Sequence, residues 1–320
     1  MGKLINGTWD PGVHRASSAG RFVRESSAFR HWVTADGSPG PTGQGGYRAE
    51  AQRYHLYVSL ACPWAHRTLI VRRLKGLEQS ISVSVVHWLM GEDGWTFDAG
   101  PGVIADPIHR AHFLHQIYSS AVPDYTGRVT VPVLYDKASR TIVNNESSEI
   151  IRMFNSAFAG TEDATPDLYP KALRRDIDAV NDWVYESINS GVYKAGFATT
   201  QTAYESAVSS LFDMLGQLEQ RLAARRYLCG DRMTESDIRL FTTLVRFDAV
   251  YVGHFKCNRR RLIDYPHLWA YTRNLYQHPG IGDTVNMYHI KHHYYESHRQ
   301  INPTGIVPIG PDIDFDDPID

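Results

Sequence analysis

The sequence predicts an α/β domain followed by an all-α domain, and three observations carry that expectation. From Arg53 onward, short β-rich runs alternate with segments whose apolar residues recur at helical spacing. After a polar, turn-rich stretch near residue 165, helical periodicity takes over almost completely. The 320 residues also suffice for two domains of ordinary size, each with its own core.

Taken in order, residues 1–50 are rich in Gly, Ser and Pro and end in "DGSPGPTGQGG". That composition buries little and predicts an extended arm or lid, with the apolar residues of "GRFVRESSAFRHWV" packing on something. "YHLYVSL" predicts a strand, and "PWAHRTLIVRRLKGL" a helix that closes at Gly76. "ISVSVVHW" is a second strand. "LMGEDGWTFDAGPGVIAD" is too long and Gly-rich for a tight turn, which points to a functional loop. A helix is expected from Pro107 to Ser119, then strands in "VTVPVLYD" and "TIVNN" joined by the polar "KASR" turn. "ESSEIIRMFNSAF" predicts a helix and "AGTEDATPDLYP" a linker. Helices follow over about 170–190, 201–226, 235–250 and 266–277, the third opened by Thr234 and Asp237 as a capping box in which Asp replaces the usual Glu. "INPTGIVPIGPDIDFDDPID" should lie extended on the surface. The expected organisation is an arm (1–50), an α/β domain (51–160), an all-α domain (165–300) and a tail (301–320).

Bulk properties exclude several classes. A formal charge of −2 and a pI near neutral give no reason to expect a nucleic-acid or anionic-membrane partner. The paired arginines are scattered and read as solvated helix faces. The N-terminal stretch has no apolar segment of a secretory signal, Asn6 stands where myristoylation needs Ser or Thr, and no apolar run approaches a membrane span. Three cysteines (Cys62, Cys229, Cys257) cannot form a disulfide framework for this length. A cytoplasmic chain with reduced thiols is expected. His289, His292, His293 and His298 cluster, yet no His-Glu-x-x-His occurs and no cysteine lies among them, so no metal site is expected.

Cys62 follows a strand and precedes Pro63, the residue type suited to a first helical position. That places the sulfur at a helix N-terminus, where the dipole and free N–H groups lower a thiol pKa from about 8.5 toward or below neutral. Cys229 and Cys257 lack this context and read as small buried side chains. In "CPWA" the third residue after Cys62 is Ala65, not a resolving cysteine. A mixed disulfide at Cys62 would therefore need an external thiol, which implies a monothiol mechanism with a small thiol as co-substrate. In "RVTVPVL", Pro132 suits an edge or a cis turn that would present the backbone of Val131 to an extended peptide ligand. "NNESSEI" enters a helix with Glu146, Ser147 and Ser148 at its first turn. Such a turn serves either as a plain N-cap or as a seat for a ligand's α-amino acid end.

With "SLACPWAHRTLI", "RVTVPVL", "NNESSEI" and the helical second half together, the chain resembles the glutathione transferase superfamily, and within it the Xi class, the glutathionyl-hydroquinone reductases. The resemblance runs from about Gly20 to Pro311 and includes "DGWTF", "SGVYKAGFA", "YLCGDRMTESDIRLF", "HIKHHYYESH" and "INPTGIVPIGP". It implies a thioredoxin-like glutathione-binding domain, an all-α substrate domain and a homodimer. Carried over by position, Cys62 would be the nucleophile. Trp95, Arg128, Val131, Glu146 and Ser147 would hold glutathione, and Tyr193, Tyr251 and Tyr294 (or its neighbour Tyr295) would line the hydroquinone pocket. The implied reaction is glutathione-dependent reduction of S-glutathionyl-hydroquinones. The rivals are an omega-like thiol transferase or dehydroascorbate reductase and a non-catalytic module of the same fold.

Overall fold

The computed structural model describes residues 2–12, 17–43, 45–158 and 166–318. Residues 159–165 of the predicted linker "AGTEDATPDLYP" lie outside the described residues, as do residues 319–320 of the tail. The chain divides into two compact units. One comprises Met1–Arg15, Ser26–Pro166 and Thr284–His293, and the other Ala16–Glu25, Asp167–Asp283 and Tyr294–Asp320. Both the arm and the helix Met287–Ser297 are therefore shared between units, unlike the contiguous blocks expected from composition.

The first unit is built on a four-stranded sheet in the order Thr141–Asn144, Val133–Asp136, Tyr54–Val58, Ile81–Val85. Tyr54–Val58 is buried along its whole length, as a strand covered on both faces must be. It pairs parallel with Ile81–Val85 and antiparallel with Val133–Asp136, with Tyr57 opposite Val133. The helix Pro63–Leu74 connects the two parallel strands, and the chain leaves it through Gly76 at φ 62°. Ser147–Ser156 is the other helix packed with it. The expected helix over Pro107–Ser119 forms only as Leu114–Ala121. Ahead of it, the buried Asp106 carboxylate accepts hydrogen bonds from the N–H groups of Ile108, His109 and Ala111 and holds that segment as a loop.

The arm is more structured than its composition suggests. Lys3–Ile5 pairs with Thr8–Asp10, Trp32–Thr34 pairs parallel with Gly46–Arg48, and Leu4, Trp32 and Val33 are buried. Backbone bonds pin it to the sheet domain, from His31 N–H to the Val143 carbonyl at 3.0 Å and between Leu4 and Gly127 in both directions. A few well-placed apolar residues and main-chain pairing outweigh the Gly-rich composition.

The second unit is helical: Arg174–Val184, Gly191–Gly196, Gln201–Leu222, Glu235–Leu244 and Pro266–Tyr276. The capping box appears as expected, with the Asp237 carboxylate accepting from Thr234 N–H at 2.7 Å and also from Leu228 N–H and the Tyr271 hydroxyl. Two wide turns interrupt the regular period, marked by Ser190 N–H to Tyr185 carbonyl and Val252 N–H to Phe247 carbonyl bonds. Such i→i+5 turns concentrate near functional sites, and a 3.6-residue period does not foretell them.

Arg53 and Asp136 lock the start of the central strand to the end of its antiparallel neighbour through two hydrogen bonds of 2.8 and 2.7 Å. Burial works to raise the pKa of Asp136, but bonds from Arg53, Ser139 and Ala138 N–H outweigh it and hold the carboxyl below its usual range. An acid with a depressed folded pKa adds stability above its unfolded value of about 3.9, and loses it as pH falls through the folded value. Arg53→Met should therefore cost about 3 kcal/mol at neutral pH. The gap from the unsubstituted protein should narrow as pH falls through the depressed value at which folded Asp136 takes up its proton. Urea unfolding across that pH range measures it, and a pH-independent gap would contradict the assignment.

Candidate functional site

The strand directions gather the first unit's candidates at one edge of the sheet. Tyr54–Val58, Ile81–Val85 and Thr141–Asn144 all run one way, and Val133–Asp136 runs the other. The carboxyl ends of the first three and the amino end of the fourth are thus together. Cys62 follows the first, Trp95 lies in the segment after the second, Glu146 and Ser147 follow the third, and Val131 precedes the fourth.

Cys62 is the N-cap residue of Pro63–Leu74, with φ −74° and ψ 120°, and Pro63 occupies the first helical position. Its side chain is half-buried and makes no capping bond; Sγ lies 3.7 Å from the Val131 carbonyl oxygen. The Val131–Pro132 peptide is cis, the second of the alternatives expected there. The Val131 amide donates no hydrogen bond among the described residues.

Glu146 stands one position earlier than expected, as the N-cap of Ser147–Ser156 rather than in its first turn. Its carboxylate accepts from Ser148 N–H at 3.2 Å, the Ser148 hydroxyl at 3.0 Å and the Ser27 hydroxyl at 2.9 Å. Ser147 is buried, and its amide N–H has no hydrogen bond among the described residues. The capping reading and the ligand reading are thus compatible, because Glu146 caps Ser148 and leaves the Ser147 N–H for another acceptor.

Trp95 is buried and held through its carbonyl, which accepts from Leu114 N–H at 2.9 Å. Its indole stacks on His293 at 4.8 Å and 23°. His293 in turn holds the Trp88 carbonyl through Nδ1 at 2.7 Å, which makes Nδ1 the protonated nitrogen. Arg128 is half-buried, next to the Gly127 that pairs with Leu4, and its carbonyl accepts from the Tyr125 hydroxyl at 3.1 Å.

The phenolic candidates belong to the second unit. The Tyr294 hydroxyl lies 2.5 Å from that of Tyr193 and 3.1 Å from that of Tyr251, so three phenols converge on one point. Tyr295 points elsewhere, to the Ala249 carbonyl at 3.4 Å, so of that pair it is Tyr294 that joins Tyr193 and Tyr251. Burial, reinforced by Tyr193 and Tyr251 and opposed by Arg246, raises the Tyr294 pKa well above the ordinary phenol value. The other cysteines fit the buried role expected of them. Burial pushes Cys229 up and Cys257 up to about 12.

Three positioning groups escaped sequence reasoning. The Tyr118 hydroxyl donates to the Thr130 carbonyl at 2.9 Å and accepts from Asn145 Nδ2 at 3.2 Å, bracing the residues before Val131 and Glu146. Arg67, buried with its guanidinium 4.5 Å from the Trp64 ring, reaches the Ser147 hydroxyl at 3.5 Å. It lies inside "CPWAHR", so the motif contained it without showing its partner. Arg246, fully buried, bonds the Thr242 carbonyl at 2.7 Å and opposes the rise in the Tyr294 pKa; no local pattern announces it. The clustered histidines are spread over separate contacts, with His289 on the Pro101 carbonyl and His298 on His254. Among the described residues no three metal-type side chains gather, and no helix is long and apolar enough to cross a membrane.

Residues 61–157 match the family model for the glutathione S-transferase N-terminal domain, and residues 201–274 that for the C-terminal domain. The glutathionyl-hydroquinone reductase YqjG of Escherichia coli K12 is 59% identical over 99% of this chain and 98% of its own. The glutathionyl-hydroquinone reductase PcpF of Sphingobium chlorophenolicum is 54% identical over 97% and 96%. The glutathione-bound structure of YqjG superposes with a TM-score of 0.92 at 57% identity, covering 99% of this chain and 98% of that one. A Xi-class transferase from Natrialba magadii gives 0.91 at 49% identity, covering 99% and 95%. The chain belongs to the glutathione transferase family. Within it, its place is in the Xi class, beside the glutathionyl-hydroquinone reductases.

A phenol with so high a pKa remains a neutral hydrogen-bond donor throughout the physiological range. Ultraviolet titration should therefore count the same number of tyrosines ionising up to about pH 10 in Tyr294→Phe as in the unsubstituted protein. One fewer in the variant would show that Tyr294 ionises normally.

Proposed function

We propose that this protein is a glutathione-dependent enzyme that reduces S-glutathionyl-hydroquinones to hydroquinones. The observation that carries the chemistry is a lone thiol, Cys62, at a helix N-terminus with Ala65 where a resolving cysteine would stand. In the first step the Cys62 thiolate attacks the glutathionyl sulfur of the substrate. The sulfur–sulfur bond forms, the ring carbon–sulfur bond breaks, and its electron pair stays with the ring carbon, which takes a proton. Carbon is reduced while two sulfurs are oxidised to the disulfide. A second glutathione thiolate then attacks that disulfide at the glutathionyl sulfur, giving oxidised glutathione and free Cys62 thiolate. The exchange is ping-pong and calls for no metal.

The glutathione backbone has complementary groups in the first unit. The Val131 amide and carbonyl suit its peptide, and the Ser147 N–H at a helix start suits its γ-glutamyl carboxylate. Glu146 suits its ammonium, and Trp95 with Arg128 its glycyl end. The phenols of Tyr193, Tyr251 and Tyr294 suit a quinol's oxygens and pass on the ring carbon's proton, which the thiol of the second glutathione replaces as it becomes the attacking thiolate. We further propose a cytoplasmic homodimer, which light scattering of the purified protein would test.

Incubation with the glutathionyl adduct of 1,4-benzoquinol and no free glutathione should release hydroquinone once and raise the protein's mass by one glutathionyl group at Cys62. Added glutathione should restore turnover, with hydroquinone and oxidised glutathione formed one to one. Cys62→Ala and Cys62→Ser should each lose at least about a thousandfold in rate. Brief alkylation at neutral pH should label Cys62 and spare the buried Cys229 and Cys257. Turnover of a simple mixed disulfide without any of the quinol adduct would make the protein an omega-like thiol transferase instead.

A further inference from the structure

A tight hairpin in the N-terminal arm ends against the phenol cluster. Ser17–Ser18 pairs antiparallel with Arg21–Phe22, with Ser17 opposite Phe22. Between them Ala19 and Gly20 take φ 52° and 75°, the two left-handed residues of a type I′ turn. Glycine suits its position, whereas alanine is a poor occupant of the other. A two-residue ladder with such a turn does not hold itself, so its contacts with the rest of the chain must hold it.

Those contacts lead to one place. Thr199 N–H donates to the Gly20 carbonyl at 3.0 Å. Gly20 approaches Thr200 so closely that a Cβ would come within 2.6 Å of its methyl carbon, so the turn seats only with glycine there. Phe22 then lies 6.3 Å from the Tyr193 ring and 5.5 Å from the Phe197 ring. Within the cluster, Tyr251, Tyr294, Phe197 and Phe255 are buried, and Tyr193 and Phe22 are half-exposed. Of these six rings, only Tyr193 and Phe22 are not buried.

We propose that Phe22 determines acceptor specificity, as a wall contributed by the arm that limits the width of the hydroquinone ring. This rests on the reading that the three tyrosines receive the hydroquinone. The hairpin's place on Thr199 and Thr200 sets where that wall stands. The only role of Phe22 is steric and dispersive contact with the ring, so it acts on the choice among acceptors and not on the sulfur exchange.

The test compares kcat/KM for the glutathionyl adducts of 1,4-benzoquinol and of a fused-ring 1,4-naphthoquinol, both measured on one preparation so that the ratio is independent of the folded fraction. Phe22→Ala should shift the ratio toward the naphthoquinol by about tenfold or more, the scale of a changed apolar pocket wall. Phe22→Trp should shift it toward the benzoquinol. An unchanged ratio in both variants overturns the proposal. Tyr294→Phe separates the two levels. If it lowers turnover of both adducts while the Phe22 variants leave the ratio unchanged, only the role of Phe22 fails. If it changes neither, the tyrosine reading fails and the proposal with it.

Discussion

The antiparallel pairing of Tyr54–Val58 with Val133–Asp136 is the constraint on which the proposed glutathione site depends. With Tyr57 opposite Val133, the chain leaving the first strand and the chain entering the second meet at the same edge of the sheet. Cys62 and Val131 are separated by most of the domain in sequence, yet this register brings the sulfur to 3.7 Å from the carbonyl. A one-residue slip would reverse every side chain of a strand that is buried throughout, so the hydrophobic core enforces the register. The Arg53–Asp136 pair holds the far end of the same two strands.

From that edge the remaining groups follow by topology. The helix after Thr141–Asn144 packs on the helix after Tyr54–Val58, Arg67 reaches from the latter to Ser147, and Tyr118 joins Thr130 to Asn145. In the proposed site, main-chain donors at Val131 and Ser147 would serve one extended ligand without any side chain having to find it. Backbone groups on packed elements are fixed in direction at no entropic cost to a side chain, which suits recognition of a flexible peptide.

The two units use burial for opposite ends. At Cys62 the sulfur is half-exposed at a helix start, where a thiolate is favoured. Around Tyr294, full burial and neighbouring phenols disfavour ionisation and keep a neutral donor. The same physics silences Cys229 and Cys257. Burial and neighbouring phenols thus hold the proton on Tyr294, whereas Cys62 stands half-buried at the start of a helix.

Much of this was legible in the chain itself. Strand alternation, Pro63 after Cys62, Ala65 in place of a second thiol, the Thr234–Asp237 cap and the quoted motifs determined the α/β-then-α order, the monothiol character and the family. These are local signals, and local signals survive reading one residue after another. Tertiary structure alone decided that Glu146 caps its helix, that Tyr294 and not Tyr295 joins Tyr193 and Tyr251, and that Asp106 keeps Pro107–Phe113 from becoming helix. It also decided that a Gly-rich arm forms strands and divides between the units. Adjacent tyrosines on a helix differ by about 100° in direction, and only the packing partner says which one faces inward. Long-range pairing leaves no mark on composition, so those choices belong to the fold.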